Sequence, residues 1–204
     1  MNEIFTADEL SFLSKLIEAG VQLSGERLAK LSGTKWNVVS ASVEVVPIVR
    51  ALSIFHNEPV LHIGAHMRSQ SLLPLEFLML FPDWSAEPIA DVITKASPAM
   101  KALPERNKVI VGEIANILGQ GVVKAMADTF NLSIILSVPQ ISTGRKAELT
   151  VGVLEKFDGR KDTVVLTHVE MYADTLSAVC SMLLMLDAAV VKRLITLANK
   201  PENA

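Results

Sequence analysis

The stretch NKVIVGEIANILGQGVVKAMAD, residues 107–128, decides how this chain reads. It is predicted to form one long helix, on which Glu113 and Asn116 stand three residues apart, neighbours on one face. Val109 and Gln120 extend the same stripe. Asparagine is a poor choice inside a helix because its carboxamide competes for backbone hydrogen bonds. Gly119 and Gly121 follow at once, each costing about 1 kcal/mol against alanine in a helix interior. A helix carrying such local costs serves either a close contact or a site. Taken alone, the residues leave two readings open: a solvated polar patch beside glycines that let helices pack tightly, or a functional pair.

Around this helix the chain states one order of elements twice. Residues 6–32 read as an amphipathic helix, opened by Thr6 with Glu9 three residues later, the spacing of a capping box. Extended segments are predicted at 36–48, 50–55 and 60–68, the last two flanking a turn at 56–59. An apolar run at 72–81 and a helix over 83–95 complete the first half. In the second half the helix 107–128 precedes an extended segment at 129–138. Strands at 149–157 and 163–172 then flank the turn 158–161, followed by an apolar run at 175–186 and a helix at 187–199. Residues 27–31 match 122–126 at an offset of 95, and Trp36-Asn37-Val38 matches Phe130-Asn131-Leu132 at 94. Residues 97–107, with Pro98 and Pro104, read as a linker. The expectation is a single α+β domain over 1–204, with one repeat at about 1–98 and the other at about 99–204. Such an internally duplicated fold closes a mostly antiparallel sheet, covered by helices, about a pseudo-twofold axis.

Composition narrows the function classes. Half of the 204 residues are apolar but only 5% are aromatic, so aliphatic side chains and methionine must fill the core. The apolar stretch 178–191 is broken by Ser181 and Asp187 and is shorter than the roughly 20 residues of a spanning helix, so no membrane insertion is expected. Residues 1–10 lack the pattern of a secretory leader, and the single Cys180 has no partner for a disulfide; both predict a reducing cytoplasm. A net charge of −3, with Arg145-Lys146 and Arg160-Lys161 as isolated pairs expected in solvated turns, argues against nucleic acid. His62 and His66 face one way on a strand, but no third ligand at suitable spacing accompanies them, so no metal is expected. Ser142-Thr143-Gly144 completes neither a phosphate loop nor a nucleophile motif and reads as a loop.

The order Glu113, Asn116, then Pro139 after twenty-two intervening residues gives the helix a further reading. This spacing, with the chain length, the repeated order and the apolar runs at 78–82 and 182–186, resembles the CheC/CheX/FliY family of chemotaxis phosphatases, CheC-like proteins most of all. The leading Asp or Ser of that family's motif is Val109 here. In the first half Ser14 and Glu18 fall on the motif by the same offset, but Val21 stands where Asn is expected, with Gln22 beside it and turned away. The resemblance therefore implies one competent site, Glu113 and Asn116 with Pro139 as a structural residue, and one degenerate site at Ser14 and Glu18.

The resemblance also implies a chemistry: hydrolysis of the aspartyl phosphate on a CheY-type response regulator. Asn116 would orient the attacking water and Glu113 would pair with the regulator's phosphate-site lysine. No cofactor of the chain's own is expected, since the Mg²⁺ belongs to the regulator. A CheD-type deamidase is a further implied partner, and a binding module with weak catalysis is the alternative function. A flagellar-switch role like that of FliY is expected less, because the sequence stops at Ala204, just after its last predicted helix.

Overall fold

The computed structural model describes residues 4–51, 59–69, 71–96, 102–154 and 163–198. Its elements are α1 (Ala7–Ser32), β1 (Trp36–Pro47), α2 (Ile48–Ala51), β2 (Leu61–Ser69), β3 (Leu75–Pro82) and α3 (Asp83–Ala96). There follow α4 (Arg106–Phe130), β4 (Gln140–Arg145), α5 (Lys146–Leu154), β5 (Thr163–Ala173), β6 (Ala178–Asp187) and α6 (Ala188–Ala198). The order helix, strand, short helix, strand, strand, helix thus occurs twice.

All six strands form one antiparallel sheet in the order β1-β5-β6-β3-β2-β4. Counted by position within each half, that order is a palindrome: first, second, third, third, second, first. The third strands β3 and β6 meet at the centre, with Leu78 opposite Leu183. The first strand of each half pairs with the second strand of the other, β1 with β5 and β4 with β2. Every residue of β3 is buried, as a strand covered on both faces must be.

The helices divide between the faces. α1, α3, α4 and α6 cover one side over the larger core, which includes Leu28, Phe77, Met79, Leu118 and Met182. α2 and α5 cover the other over a smaller core of Val46, Leu78, Leu80, Leu154, Leu183 and Met185. Thr6 and Glu9 form the expected capping box, the Glu9 N–H donating to Thr6 Oγ1 at 3.3 Å and the Thr6 N–H to Glu9 Oε2 at 2.8 Å. Both long helices end on a left-handed residue, Gly33 for α1 and Asn131 for α4.

Several expectations are corrected. Residues 149–154 are not a strand but the body of α5, and Arg50 and Ala51 belong to the short helix α2. The remainder of both expected strands, with the turns 56–58 and 158–161, lies outside the described residues. Ser142-Thr143-Gly144 is not a loop: it lies within β4, pairing with Gly64, Ile63 and His62. Residues 129–130 close α4, and 131–139 run irregularly until β4 begins at Gln140. Asn107 is already helical, not linker. The match of Trp36-Asn37-Val38 to 130–132 falls on a strand in one half and a helix end in the other.

Lys146 is not solvated. It opens α5 at 5% exposure, its Nζ donating to Glu170 Oε1 at 3.1 Å and Ser181 Oγ at 3.0 Å. Ser181 Oγ donates to the same carboxylate oxygen at 2.6 Å, and His168 Nε2 lies 2.6 Å from it. Burial by itself would raise the Glu170 carboxyl. The hydrogen bonds from His168 and Ser181, with the Lys146 charge, more than reverse this and bring it from 4.5 to about 2. A carboxyl depressed on folding stabilises fully above its unfolded value, and that contribution disappears as pH falls through the folded one. Acid unfolding should therefore steepen between about pH 4.5 and 2. Glu170→Gln should remove that slope, worth about 2 kcal/mol after screening at this partly exposed site, as measured by urea unfolding across the window.

The tightest contact joins α1 to α4. A Cβ on Gly20 would lie 2.7 Å from Val122 Cα, and one on Gly121 would lie 1.7 Å from Ser24 Oγ and 2.9 Å from the Gly20 carbonyl oxygen. Ser24 Oγ bridges the crossing, donating to Gly20 O at 2.8 Å and Leu118 O at 3.2 Å. Gly20→Ala and Gly121→Ala should each cost about 1–3 kcal/mol in chemical unfolding despite alanine's better helix propensity. Gly152→Ala in α5, whose new methyl meets nothing within 4 Å, should instead stabilise by up to about 1 kcal/mol.

Candidate functional site

α4 offers its apolar face to α1 and the sheet and leaves one stripe outside. Ile110, Ile114, Leu118 and Val122 are buried, while Glu113 and Gln120 are exposed and Asn116 is half-buried between them. The helix is long and apolar enough to cross a membrane by composition, but 61% of its apolar window is buried inside this protein.

The stripe faces a groove of about 480 Å³. Val109, Glu113, Asn116 and Gln120 form one wall, and Ser137, Val138 and Pro139 the other. The second wall is the irregular segment 131–139, and two features hold it against α4. The Ser137 N–H donates to Arg68 O at 2.9 Å and the Arg68 N–H donates to Ser137 Oγ at 3.2 Å, fastening it to β2. Gly119 leaves room beneath it, since a Cβ there would lie 2.9 Å from Leu136 Cδ1 and 2.6 Å from Met67 Cε. Gly112 does the same for Ile141 and Pro139, whose atoms lie 3.3 and 3.9 Å from where its Cβ would stand. The glycines of α4 are therefore packing residues, and through that packing they shape the groove.

Neither Glu113 nor Asn116 has a hydrogen bond or ion pair among the described residues. The Asn116 carboxamide is thus left facing the groove and the solvent in it. The groove rim is apolar: Ile135 is 75% and Val138 81% exposed, and Val109 adds to it. Sequence reasoning missed this rim, since nothing in 131–139 marks which side chains the loop turns outward.

The first half places its counterparts differently. Ser14 Oγ donates to Glu18 Oε1 at 3.0 Å, and Val21 is buried in the core. Glu18 and Gln22, neighbours at i and i+4, line a separate groove of about 650 Å³ against β1, so Gln22 shares a groove with Glu18, where the sequence placed it elsewhere. His66 Nε2 bonds Glu76 Oε2, and His62 Nδ1 lies 3.0 Å from Val60 O. Among the described residues no three His, Cys, Asp or Glu side chains gather as a metal site. Cys180 is fully buried, and burial pushes its thiol well above the ordinary range.

No protein-family model matches this sequence, and no curated protein matches it significantly. Solved structures do share its fold. Thermotoga maritima FliY superposes with a TM-score of 0.72 at 14% identity, over 98% of this chain and 100% of that one. The FliM middle domain from H. pylori gives 0.64 at 6% identity, over 94% and 99%. The chemotaxis protein CheX from Desulfovibrio desulfuricans gives 0.57 at 10% identity, over 85% and 99%. The chain therefore has the fold of the CheC/CheX/FliY chemotaxis proteins, an α+β fold that the FliM middle domain shares.

Because Asn116 makes no bond among the described residues that alanine would lose, Asn116→Ala should leave stability unchanged or raise it by about 0.5 kcal/mol through helix propensity, as read from thermal or urea unfolding.

Proposed function

We propose that this chain hydrolyses the aspartyl phosphate of a CheY-type response regulator, in the cytoplasm, at the groove between α4 and residues 131–139. The observation that carries the reading is the unpartnered, half-buried carboxamide of Asn116, one turn from the exposed Glu113, with Pro139 on the facing wall. Support also comes from a fold shared with FliY and CheX.

An acyl phosphate is already activated, so the work left for the protein is to hold water in line with the bond that breaks. A carboxamide suits that task because it donates and accepts and does not titrate. Asn116 orients the water, whose oxygen attacks phosphorus as the bond to the aspartyl oxygen breaks. The carboxylate and inorganic phosphate leave, and the water's proton passes to phosphate or solvent. Glu113 sets the docking register by pairing with a lysine of the regulator, and the regulator brings its own Mg²⁺. The repeated order of elements is read as an internal duplication in which the first half has lost this site, with Val21 in place of the asparagine.

A second reading, a module that binds the regulator or a CheD-type deamidase with little turnover, draws on Val109, Ile135 and Val138, whose exposed apolar rim would serve docking whether or not chemistry follows. One experiment separates the two. Phosphate release from a phosphorylated CheY-type regulator should accelerate with wild-type protein. Asn116→Ala should reduce that acceleration about a hundredfold or more with binding retained, and Glu113→Ala should weaken binding itself. Binding by the wild type with no acceleration would select the docking module, and neither binding nor acceleration would overturn both.

A further inference from the structure

The two edges of the sheet are unlike. β4 is short, six residues, and carries Gly144 and Arg145. β1 runs for twelve residues, and from Trp36 to Val46 it holds one charged side chain, Glu44, with Pro47 only at its end. Short strands, charges, prolines and bulges are the usual protections of a free edge, and of these β1 has one charge, a terminal proline and one bulge. Among the described residues no strand pairs with its outer side. A bulge at Val39, where the register with β5 shifts between Val38 and Ser40, turns this part of the edge, leaving Val38 and Val39 well exposed.

A groove of about 650 Å³ lies along that bulged edge. Residues 35–41 all line it, alternating faces included, with Met171 of β5 behind Val38, so this wall is the outer margin of the sheet. The opposite wall is α1, which presents Glu18, Gln22 and Glu26. Lys35 is the one cation among the lining residues, and Glu26 and Lys35 have no ion pair among the described residues.

We infer that this edge is a docking site for an extended peptide segment of a partner protein, added as a seventh strand beside β1 with a lysine or arginine side chain turned toward Glu18 and Glu26. Main-chain bonding to β1 supplies affinity, and the α1 carboxylates supply choice of side chain. A second copy of this chain fits less well. Antiparallel pairing of two β1 edges keeps both α1 helices on one side of the extended sheet, bringing a second set of these carboxylates toward the first; a basic segment meets them with opposite charge. The proposal is independent of the reading of Asn116, because its readouts involve no regulator.

Random heptapeptides displayed on phage, panned on the full chain and depleted on the Glu18→Lys/Glu26→Lys double variant, test it. Both positions are exposed, and the variant's circular dichroism should match wild type. Surviving sequences should alternate apolar and polar residues around a lysine or arginine. A synthetic peptide of that sequence should slow amide exchange in β1 and bind the double variant about tenfold or more weakly, while Glu18→Gln/Glu26→Gln should show an intermediate loss. No survivors after depletion would overturn the proposal, as would protection of residues 131–139 in place of β1. Protection of β1 that rises with protein concentration in the absence of peptide would assign the edge to a second copy and overturn it equally.

Discussion

Two backbones meet almost without side chains where α1 crosses α4. Gly20 lies against the Val122 backbone and Gly121 against Ser24, whose hydroxyl bonds carbonyl oxygens of both helices. Helices that approach this closely cannot slide or rotate without collision, because every larger side chain at the contact would have to enter the opposing backbone. The crossing therefore fixes which face of α4 is buried. With Gly121 turned to α1 and Gly119 turned to Met67 and Leu136, the remaining stripe must carry Glu113, Asn116 and Gln120 outward. The position of the candidate site is a consequence of helix packing.

The sheet imposes a matching constraint. Since β1 pairs with β5 and β4 with β2, each half supplies an edge strand to the other. A half on its own would leave its second strand without that neighbour and its third strand without the central pairing of β3 with β6. The helices above and the exchanged strands below thus lock the halves together from both faces. On the other side of the sheet Lys146 joins the start of α5 to Glu170 on β5 and Ser181 on β6, tying elements of the second half to one another. Lys192 on α6 ties back to Glu9 at the start of α1, donating to both carboxylate oxygens at 2.7 and 2.5 Å.

How much of this the sequence discloses depends on whether the determining interaction is local. The capping box of Thr6 and Glu9 and the long helices are written in short-range patterns and form where those patterns place them, and the apolar runs at 72–81 and 175–186 hold most of the buried strands β3 and β6. The segment LTVGVL at 149–154 looks like a strand because threonine and valine favour one. It becomes helix because its apolar side chains must cover β2 and β3, with Leu149 seated where Gly64 has no side chain. Tertiary contact outweighs propensity there. The exchange of first strands could not be read either, since strand partnership depends on residues 74 to 137 positions apart. For the site, the spacing of Glu113, Asn116 and Pro139 was legible and those residues do share a groove. For Gly119 and Gly121 tight packing was one of two readings left open, because a glycine records only that something comes close.

The two long helices show what separates a groove able to hold a recessed polar group from one that cannot. After α1 the chain turns at Gly33 and enters β1 at Trp36, so the wall beside Glu18 is a strand already engaged with β5. Val21 then points into the core between helix and sheet, where an asparagine would be buried without a partner at a cost of about 1–3 kcal/mol. After α4 the chain stays irregular through 131–139, fastened to β2 by its Ser137 contacts with Arg68 and the isolated pairing of Leu136 with Ser69. That looser wall stands away from the helix far enough to leave Asn116 half-covered, in contact with a groove open to solvent. The delay before β4 is thus what makes room for the carboxamide. It also leaves β4 half the length of β1, whose own length follows from its pairing with β5.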